Sequence, residues 1–182
     1  MIVRSSNLFL VALLSFFAYS CSSDLDFSQA NDLKIEPVII TNLGSFEIDS
    51  KDFAGSGIQQ TSFSEESKIE LFNDSFFRRR LKKVELYFEL SNTINRAYVV
   101  GLYFLNKNDD IVYSQSLSIP AYTFGENKIP KTDIIVGSSL EQLKETTKII
   151  FNLNQSPQFT SIPFNQGKFK MKSGLTAYLV VE

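Results

Sequence analysis

The clearest alternation of apolar and polar residues lies between Leu81 and Ile119, and it predicts three consecutive β-strands. In the first strand, every second residue from Val84 to Leu90 is apolar, the period that places one face of a strand in a core. Residues 97–105 are apolar at nearly every position, which is typical of a central strand covered on both faces. The alternation then resumes at Ile111 and ends before Pro120. This part of the chain predicts an antiparallel meander.

Shorter apolar segments on both sides predict further strands. Residues 34–41 are rich in β-branched side chains and contain Pro37, which indicates an edge strand, and a separate short strand is expected at residues 46–48. Residues 58–63 predict another strand, and residues 68–72 predict a strand that leads into a helix.

The last third of the chain predicts two more strand regions. Residues 148–154 form one strand pattern. The segment from Lys168 alternates up to Ser173 and Gly174, which predict a tight turn and therefore a closing hairpin with residues 175–181.

Two short helices are expected between these strands. Asn73, Asp74 and Ser75 are all suitable N-cap residues for a helix that precedes Leu81. A second helix is predicted after Gly137, where two overlapping capping boxes pair Ser138 with Glu141 and Ser139 with Gln142. Leu140 and Leu143 are expected to hold this helix against the sheets.

Together these elements predict an all-β domain over residues 34–182. Seven to nine short strands with one or two short helices favour an antiparallel β-sandwich, either immunoglobulin-like or jelly-roll in topology. A small β-barrel is the alternative.

Composition restricts the chemistry. The 182 residues include no histidine and a single cysteine, and the chain has a formal net charge of −2. The absence of histidine removes the commonest general base and transition-metal ligand, and one cysteine cannot form an internal disulfide or a cysteine-cluster zinc site. Nucleic-acid-binding domains are usually basic, so no nucleic-acid partner is expected, and no residue set indicates a cofactor or a metal.

The N-terminal residues 1–20 have the organisation of a signal peptide. Arg4 precedes an apolar run over residues 8–18, which is too short for a transmembrane helix of about 20 residues. An ordinary secretory signal and an uncleaved membrane anchor are two interpretations that this segment leaves open. The single cysteine, Cys21, follows this run directly, and residues 21–33 are polar and acidic, which predicts a flexible tether.

The sequence Ala18-Tyr19-Ser20-Cys21 resembles the lipobox of bacterial lipoproteins. The resemblance implies that Cys21 is the lipidated residue and that acyl chains on Cys21 hold the protein on a membrane. Serines and acidic residues after Cys21 are similar to those of Bacteroidota lipoproteins, and residues 72–105 and 172–178 resemble flavobacterial-type lipoproteins that carry no assigned activity. These resemblances imply a lipid-anchored outer-membrane protein on either the periplasmic or the cell-surface face.

One conspicuous charge cluster lies at residues 78–83, where five of six residues are basic. We expect these cations to complement the dipole at a helix C-terminus, with Glu85 and Glu89 as partners. The alternative is a basic patch that contacts anionic lipid head groups or an acidic polymer.

Other candidate sites are weaker. Asn106, Asn108 and Asp110 alternate as calcium ligands would, but Ile111 replaces the expected glycine, so a plain hairpin turn is favoured. Sugar-binding platforms could come from tyrosines, namely Tyr87, Tyr98, Tyr103 and Tyr122.

The carboxylate pairs Asp109-Asp110 and Glu65-Glu66 could serve glycoside hydrolysis, which needs two acids across a cleft. The favoured function is a non-catalytic binding or structural module of the cell envelope, with an unknown protein or glycan partner. A carboxylate-dependent, glycan-active hydrolase is the alternative.

Overall fold

Two antiparallel sheets of four strands pack face to face in the computed structural model, which describes residues 34–54, 62–156 and 166–181. The first sheet has the order β1-β8-β3-β6 and the second has the order β2-β7-β4-β5. The strands of the first sheet are β1 (Val38–Asp49), β3 (Leu81–Asn92), β6 (Lys128–Ile135) and β8 (Lys168–Leu179). Those of the second are β2 (Ser62–Lys68), β4 (Tyr98–Leu105), β5 (Ile111–Ile119) and β7 (Lys148–Gln155).

Strand pairing identifies the sandwich as a jelly roll. The pairs β1–β8, β2–β7, β3–β6 and β4–β5 are nested, so that the two halves of the chain wind around the core as one long folded hairpin. Eight strands in two four-stranded sheets match the jelly roll. The predicted β-sandwich is therefore confirmed, and of the two topologies left open the structure has the jelly-roll one rather than the immunoglobulin-like one.

The predicted meander is wrong at its first connection. β4 and β5 form a hairpin, but β3 belongs to the other sheet, so the chain crosses the sandwich between Asn92 and Tyr98. β4 is nevertheless an interior strand, bonded to β7 and β5, with a buried inner face and a half-buried outer face.

The core between the sheets is rich in aromatic side chains. Phe46 of the first sheet contacts Phe63 of the second, with ring centroids 5.5 Å apart, and Phe169 contacts Tyr98 at 5.4 Å. Phe88, at the centre of β3, has no exposed surface. The alternation in β3 is confirmed, because its apolar residues are buried, namely Val84, Leu86, Phe88 and Leu90.

The predicted turn at Ser173 and Gly174 is wrong, and β8 passes through both residues without interruption. Ser173 is buried on the inner face, and its hydroxyl donates a hydrogen bond of 2.7 Å to the Gly44 carbonyl of β1. Since that hydrogen bond satisfies the buried hydroxyl, a serine can occupy a core position.

β1 also differs from the prediction at its middle. It is an edge strand, as predicted from Pro37, but residues 46–48 continue the same strand after a bulge between Asn42 and Gly44.

β2 has different bounds from the two strands predicted at residues 58–63 and 68–72. The strand predicted at residues 58–63 is described only from Ser62 onward. β2 ends at Lys68, and a 3₁₀ turn over Leu71–Asn73 follows it, so the strand predicted over residues 68–72 is wrong.

Three short α-helices connect the strands within the described ranges: α1 (Ser50–Ala54), α2 (Ser75–Arg80) and α3 (Gly137–Leu143). Asp74, one of the three predicted N-cap candidates, is the N-cap of α2, and its carboxylate accepts a hydrogen bond of 2.7 Å from the Phe77 amide. The capping boxes predicted for α3 are wrong, because Val136 is its N-cap and makes no side-chain capping bond. Leu140 and Leu143 are buried, as predicted.

No helix in the described part of the chain is both long and apolar enough to cross a membrane. The predicted signal peptide, Cys21 and the predicted tether lie outside the described residues.

Candidate functional site: a basic groove

The charge cluster at residues 78–83 is positioned by α2 and the beginning of β3. Phe77 and Leu81 are buried and hold the helix against the core, and the Phe77 ring lies 6.0 Å from that of Phe72. A helix that buries this face presents Arg78 and Arg79 to solvent, and both are exposed. The arginines occupy the last turn of α2, as predicted.

A groove with a cavity volume of about 830 Å³ runs between α2 and α3. Four cations line it, namely Arg78, Arg79, Lys82 and Lys144, and Glu141 is the one carboxylate among the lining residues that the structure describes. We call this surface the basic groove. Its walls are completed by small or apolar residues: Ser75, Leu81, Gly137 and Leu140.

Lys144 connects the basic groove to a second cavity of about 470 Å³. It is only 8% exposed, and its ammonium group lies 2.8 Å from the Glu141 carboxylate. Lys144 and Arg78 line both cavities, and Thr146, whose buried hydroxyl has no hydrogen-bond partner among the described residues, lines the second.

The cations of the cluster differ in their partners. Lys83 forms a 2.8 Å ion pair with Glu85 and also lies 3.7 Å from the centre of the Tyr178 ring. This ion pair raises the pKa of Lys83 and lowers the pKa of Glu85. The Arg80 guanidinium lies over the Phe76 ring at 5.9 Å.

The three cations that line the basic groove next to α2, Arg78, Arg79 and Lys82, have no carboxylate within 4.0 Å in the described ranges. The expectation of acidic partners therefore holds for Lys83 with Glu85. It is wrong for Glu89, whose carboxylate instead lies 3.7 Å from Lys128 and 3.9 Å from Lys172.

The outer face of the first sheet is equally rich in charge, but its charges are paired. Lys168 and Lys170 both form ion pairs with Glu47, which lowers the pKa of Glu47 to about 2 through hydrogen bonds from both lysines. Strand register places these charges in rows across the sheet. We call this surface the ion-paired face; its charged residues are Glu47, Lys83, Glu85, Glu89, Lys128, Lys168, Lys170 and Lys172.

The fold brings together one carboxylate from each of the two pairs considered for hydrolysis. Glu66 of β2 and Asp109 of the β4–β5 turn share the ammonium group of Lys148, at 3.6 and 2.6 Å. Asp109 holds the pKa of Lys148 above its ordinary value through a hydrogen bond. The two carboxylates are 48% and 70% exposed, whereas a general acid requires apolar surroundings to keep its proton at neutral pH.

The loop considered for calcium forms a hydrogen-bonded hairpin turn. The Asn106 side-chain oxygen accepts hydrogen bonds from the Asn108 and Asp110 amides, at 2.8 and 3.0 Å. Asp109 adopts a positive φ of 67°, which completes the turn. The oxygen that would have served as a first ligand therefore bonds to the backbone.

The tyrosines considered for sugar binding do not form a common platform. Tyr98 is fully buried, which raises the pKa of its hydroxyl, and it cannot serve as a surface platform. Tyr87 lies on the outer face of the first sheet, where its hydroxyl donates to Glu89 at 3.1 Å. Tyr103 lies on the second sheet and covers Gly101, and Tyr122 lies in the loop after β5.

Sequence reasoning located half of the basic groove and missed the other half. Residues 78–82 were conspicuous as a basic run, but Lys144 and Glu141 lie about 60 positions later in a segment of mixed charge. The signal available for that segment was the burial predicted for Leu140 and Leu143, which fixes α3 against the sandwich.

Comparisons with known proteins support no assignment to a family. No family model matches the chain, and no curated protein sequence matches it. Among solved structures, the chain is similar to the VP2 subviral particle of infectious bursal disease virus, at 12% identity over 79% of this chain and 32% of that chain, with a TM-score of 0.49.

Two further solved structures resemble the chain at lower TM-scores. A Parabacteroides distasonis protein, whose name describes it only as a candidate secreted protein, matches with 14% identity, 64% and 37% coverage and a TM-score of 0.40. The enzymatically active domain of bacteriophage CBA120 tailspike protein 4 matches with 14% identity, 80% and 19% coverage and a TM-score of 0.37. The chain spans about a third of the length of the viral structures it matches.

Proposed function

We propose that the protein is a lipoprotein anchored to the outer membrane through Cys21, and that its jelly-roll domain is a non-catalytic binding and structural module of the cell envelope. The anchor is supported by the sequence Ala18-Tyr19-Ser20-Cys21 at the end of the apolar run. The binding role is supported by the jelly roll, whose rigid strands hold loops and short helices in fixed positions.

The basic groove is the observation that carries the binding role. Arginine and lysine side chains retain their charge at neutral pH and bind carboxylate, phosphate or sulfate groups through several donors. Three of the four cations lining the basic groove have no acidic partner among described residues, so their donors remain available for an anionic ligand.

The same groove is poorly equipped for catalysis. General acid–base catalysis needs a group that exchanges protons near neutral pH, and the chain contains no histidine. Glycoside hydrolysis needs two carboxyl groups, but Glu141 is the one carboxylate lining the groove in the described segments, and it is paired with Lys144.

The test of the non-catalytic role compares binding with turnover. The chain from Ser22 to Glu182 should bind an anionic resin in a salt-sensitive manner and release no product from panels of glycans, esters and peptides. Glu66→Gln and Asp109→Asn should leave both results unchanged. Turnover that either substitution abolishes would establish the hydrolase alternative instead.

The test of the anchor is fatty-acid labelling in cells. Wild-type protein should incorporate labelled lipid, and Cys21→Ala should abolish labelling and accumulate unprocessed precursor, because the chain has no second cysteine. Absence of label from the wild-type protein would exclude the lipoprotein.

A further inference from the structure

The basic groove lies at the end of the sandwich where the chain enters the folded domain. Ile35 exchanges two backbone hydrogen bonds with Val181, each 2.9 Å long. The adjacent Val180 amide donates to the Arg80 carbonyl, also at 2.9 Å. Ile35, at the beginning of the domain, and Arg80, the last residue of α2, therefore bond to two consecutive residues, Val181 and Val180.

Strand direction places the rest of the groove at this end as well. β1 and β3 both start here, because each pairs antiparallel with β8. β6 ends here opposite Val84, and α3 follows it directly. The twelve-residue strands extend about 40 Å to the opposite end at roughly 3.3 Å per residue.

The predicted tether is short compared with that length. As the flexible chain that the sequence predicts, the 13 residues of this tether would average about 20 Å end to end, which is about half the length of the sheet. A lipid on Cys21 therefore keeps the entry end of the domain closer to the membrane than the opposite end.

The surface at the entry end combines unpaired cations with exposed apolar side chains. Phe76 is 50% exposed and precedes the groove arginines on α2, and Val136 is exposed beside the groove residue Gly137. Ile35 is also exposed. Basic and apolar side chains on one surface are characteristic of proteins that lie in the head-group region of a membrane.

We infer that the basic groove and Phe76 form a membrane-contacting surface, and that the ligand of the groove is the anionic head-group layer of the membrane that carries the anchor. This inference rests on the proposed anchor for the proximity of the membrane. The groove then supplies orientation: it turns the entry end toward the lipid and leaves both outer sheet faces available to partners.

A free acidic polymer would also be attracted by the cations, but it explains less of the surface. Such a ligand would have no use for Phe76 and Val136, and it would not require the groove to lie next to Ile35. Anionic lipid accounts for the charge, the exposed apolar residues and the location together.

The first test uses the absence of tryptophan from the chain. Phe76→Trp introduces a single tryptophan at the proposed contact, and Phe124→Trp introduces one in the loop after β5, where Phe124 is 85% exposed. Each variant of the unlipidated chain, starting at Ser22, is mixed with phosphatidylcholine vesicles with and without phosphatidylglycerol. We expect a blue shift and quenching by brominated lipid for Phe76→Trp with anionic vesicles, and neither change for Phe124→Trp.

The second test measures the charge dependence by vesicle co-sedimentation at low salt. The triple variant Arg78→Ser, Arg79→Ser, Lys82→Ser should bind about a hundredfold more weakly, because each cation near an anionic surface contributes roughly a fivefold factor. A matched triple variant of the ion-paired face, Lys128→Ser, Lys170→Ser, Lys172→Ser, removes the same charge and should change binding by much less. Thermal unfolding of both triple variants verifies that they are folded.

Three results would overturn the inference: no binding of the wild-type chain to anionic vesicles, equal losses in the two triple variants, or groove-dependent binding to polygalacturonate without binding to vesicles. The last result would assign the groove to a free acidic glycan. Because the tested chain carries no lipid, these results are independent of the Cys21 labelling that tests the anchor.

Discussion

The ion-paired face of the first sheet and the basic groove are both rich in cations, but their cations have different partners. On the ion-paired face, Glu47 lies between Lys168 and Lys170, and Glu89 lies near Lys128 and Lys172. In the basic groove, Arg78, Arg79 and Lys82 have no such partner among described residues. The carboxylate that lines the groove, that of Glu141, is paired with Lys144.

The difference shows that the pairing of charges, rather than their number, distinguishes a candidate binding surface from a solvated one. Cross-strand register brings lysines and glutamates together on a sheet, where they neutralise each other locally. In the basic groove, the end of α2 and the more distant α3 bring cations together without an equal number of carboxylates. Their uncompensated field extends about a Debye length, roughly 10 Å at ordinary salt, and attracts anions.

The largest expected effect is a difference in stability between substitutions on the inner and outer faces of β3, whose outer face is part of the ion-paired face. Phe88→Ala should lower the free energy of unfolding by about 3–5 kcal/mol, because Phe88 is fully buried between the sheets. Glu89→Ala, one residue away on the outer face, should cost only about 0.5 kcal/mol despite its two lysine neighbours. Denaturant unfolding measures both, and equal losses would show that the ion-paired face is a major source of stability.

An intermediate effect concerns the carboxylate of the basic groove. Glu141→Gln removes the groove's negative charge, so affinity for phosphatidylglycerol vesicles should rise about fivefold. Glu126→Gln makes the same change in net charge outside the groove, in the loop before β6, and serves as the control in the co-sedimentation assay. An equal rise in both variants would mean that net charge, and not the groove, determines binding.

The smallest effect should appear when the ion-paired face is titrated. The pKa of Glu47 is lowered to about 2 in the folded protein, while its ordinary value is 4.5. The unfolded chain therefore takes up this proton first as pH falls, and the stabilisation from Glu47 is present above pH 4.5 and lost progressively toward pH 2. The effect should be small because Glu47 is well exposed to solvent, which screens its ion pairs.

The titration is measured by comparing acid unfolding of the wild-type chain and Glu47→Gln. The difference in stability should be constant above about pH 4.5 and should disappear as the pH approaches 2. A difference that persists unchanged at pH 2 would show that Glu47 stabilises the sheet by packing and not by charge.

Local patterns in the sequence predicted strands and helices correctly where the structure depends on residues only a few positions apart. The alternation from Val84 to Leu90 predicted β3 and its buried face, because side chains on a strand alternate between two sides. The three N-cap candidates from Asn73 to Ser75 predicted the start of α2, and Asp74 is the one that caps it, because its carboxylate bonds to the Phe77 amide within the same turn. Both requirements are satisfied within a few residues.

Local patterns failed where a distant partner changed the preferred structure. Ser173 and Gly174 favour a turn on their own, but β1 supplies a hydrogen-bond acceptor at Gly44 and β8 continues through them. Buried residues alternate on both sides of Ser173, from Phe169 to Leu179, and this unbroken period was the available signal for one strand. The serines of α3 match a capping box, but the chain enters this helix through Val136 instead.

The sequence by itself determined that the protein is an all-β sandwich with a conspicuous basic cluster, because hydrophobic period and charge are properties of neighbouring residues. Only the tertiary structure decided the jelly-roll pairing, the separation of β3 from β4, and the partners of each cation. These depend on residues far apart in the chain that the fold brings together, such as Arg78 and Glu141 around the basic groove and Ile35 with Val181. Such contacts form only when the whole core is buried, so no local segment encodes them.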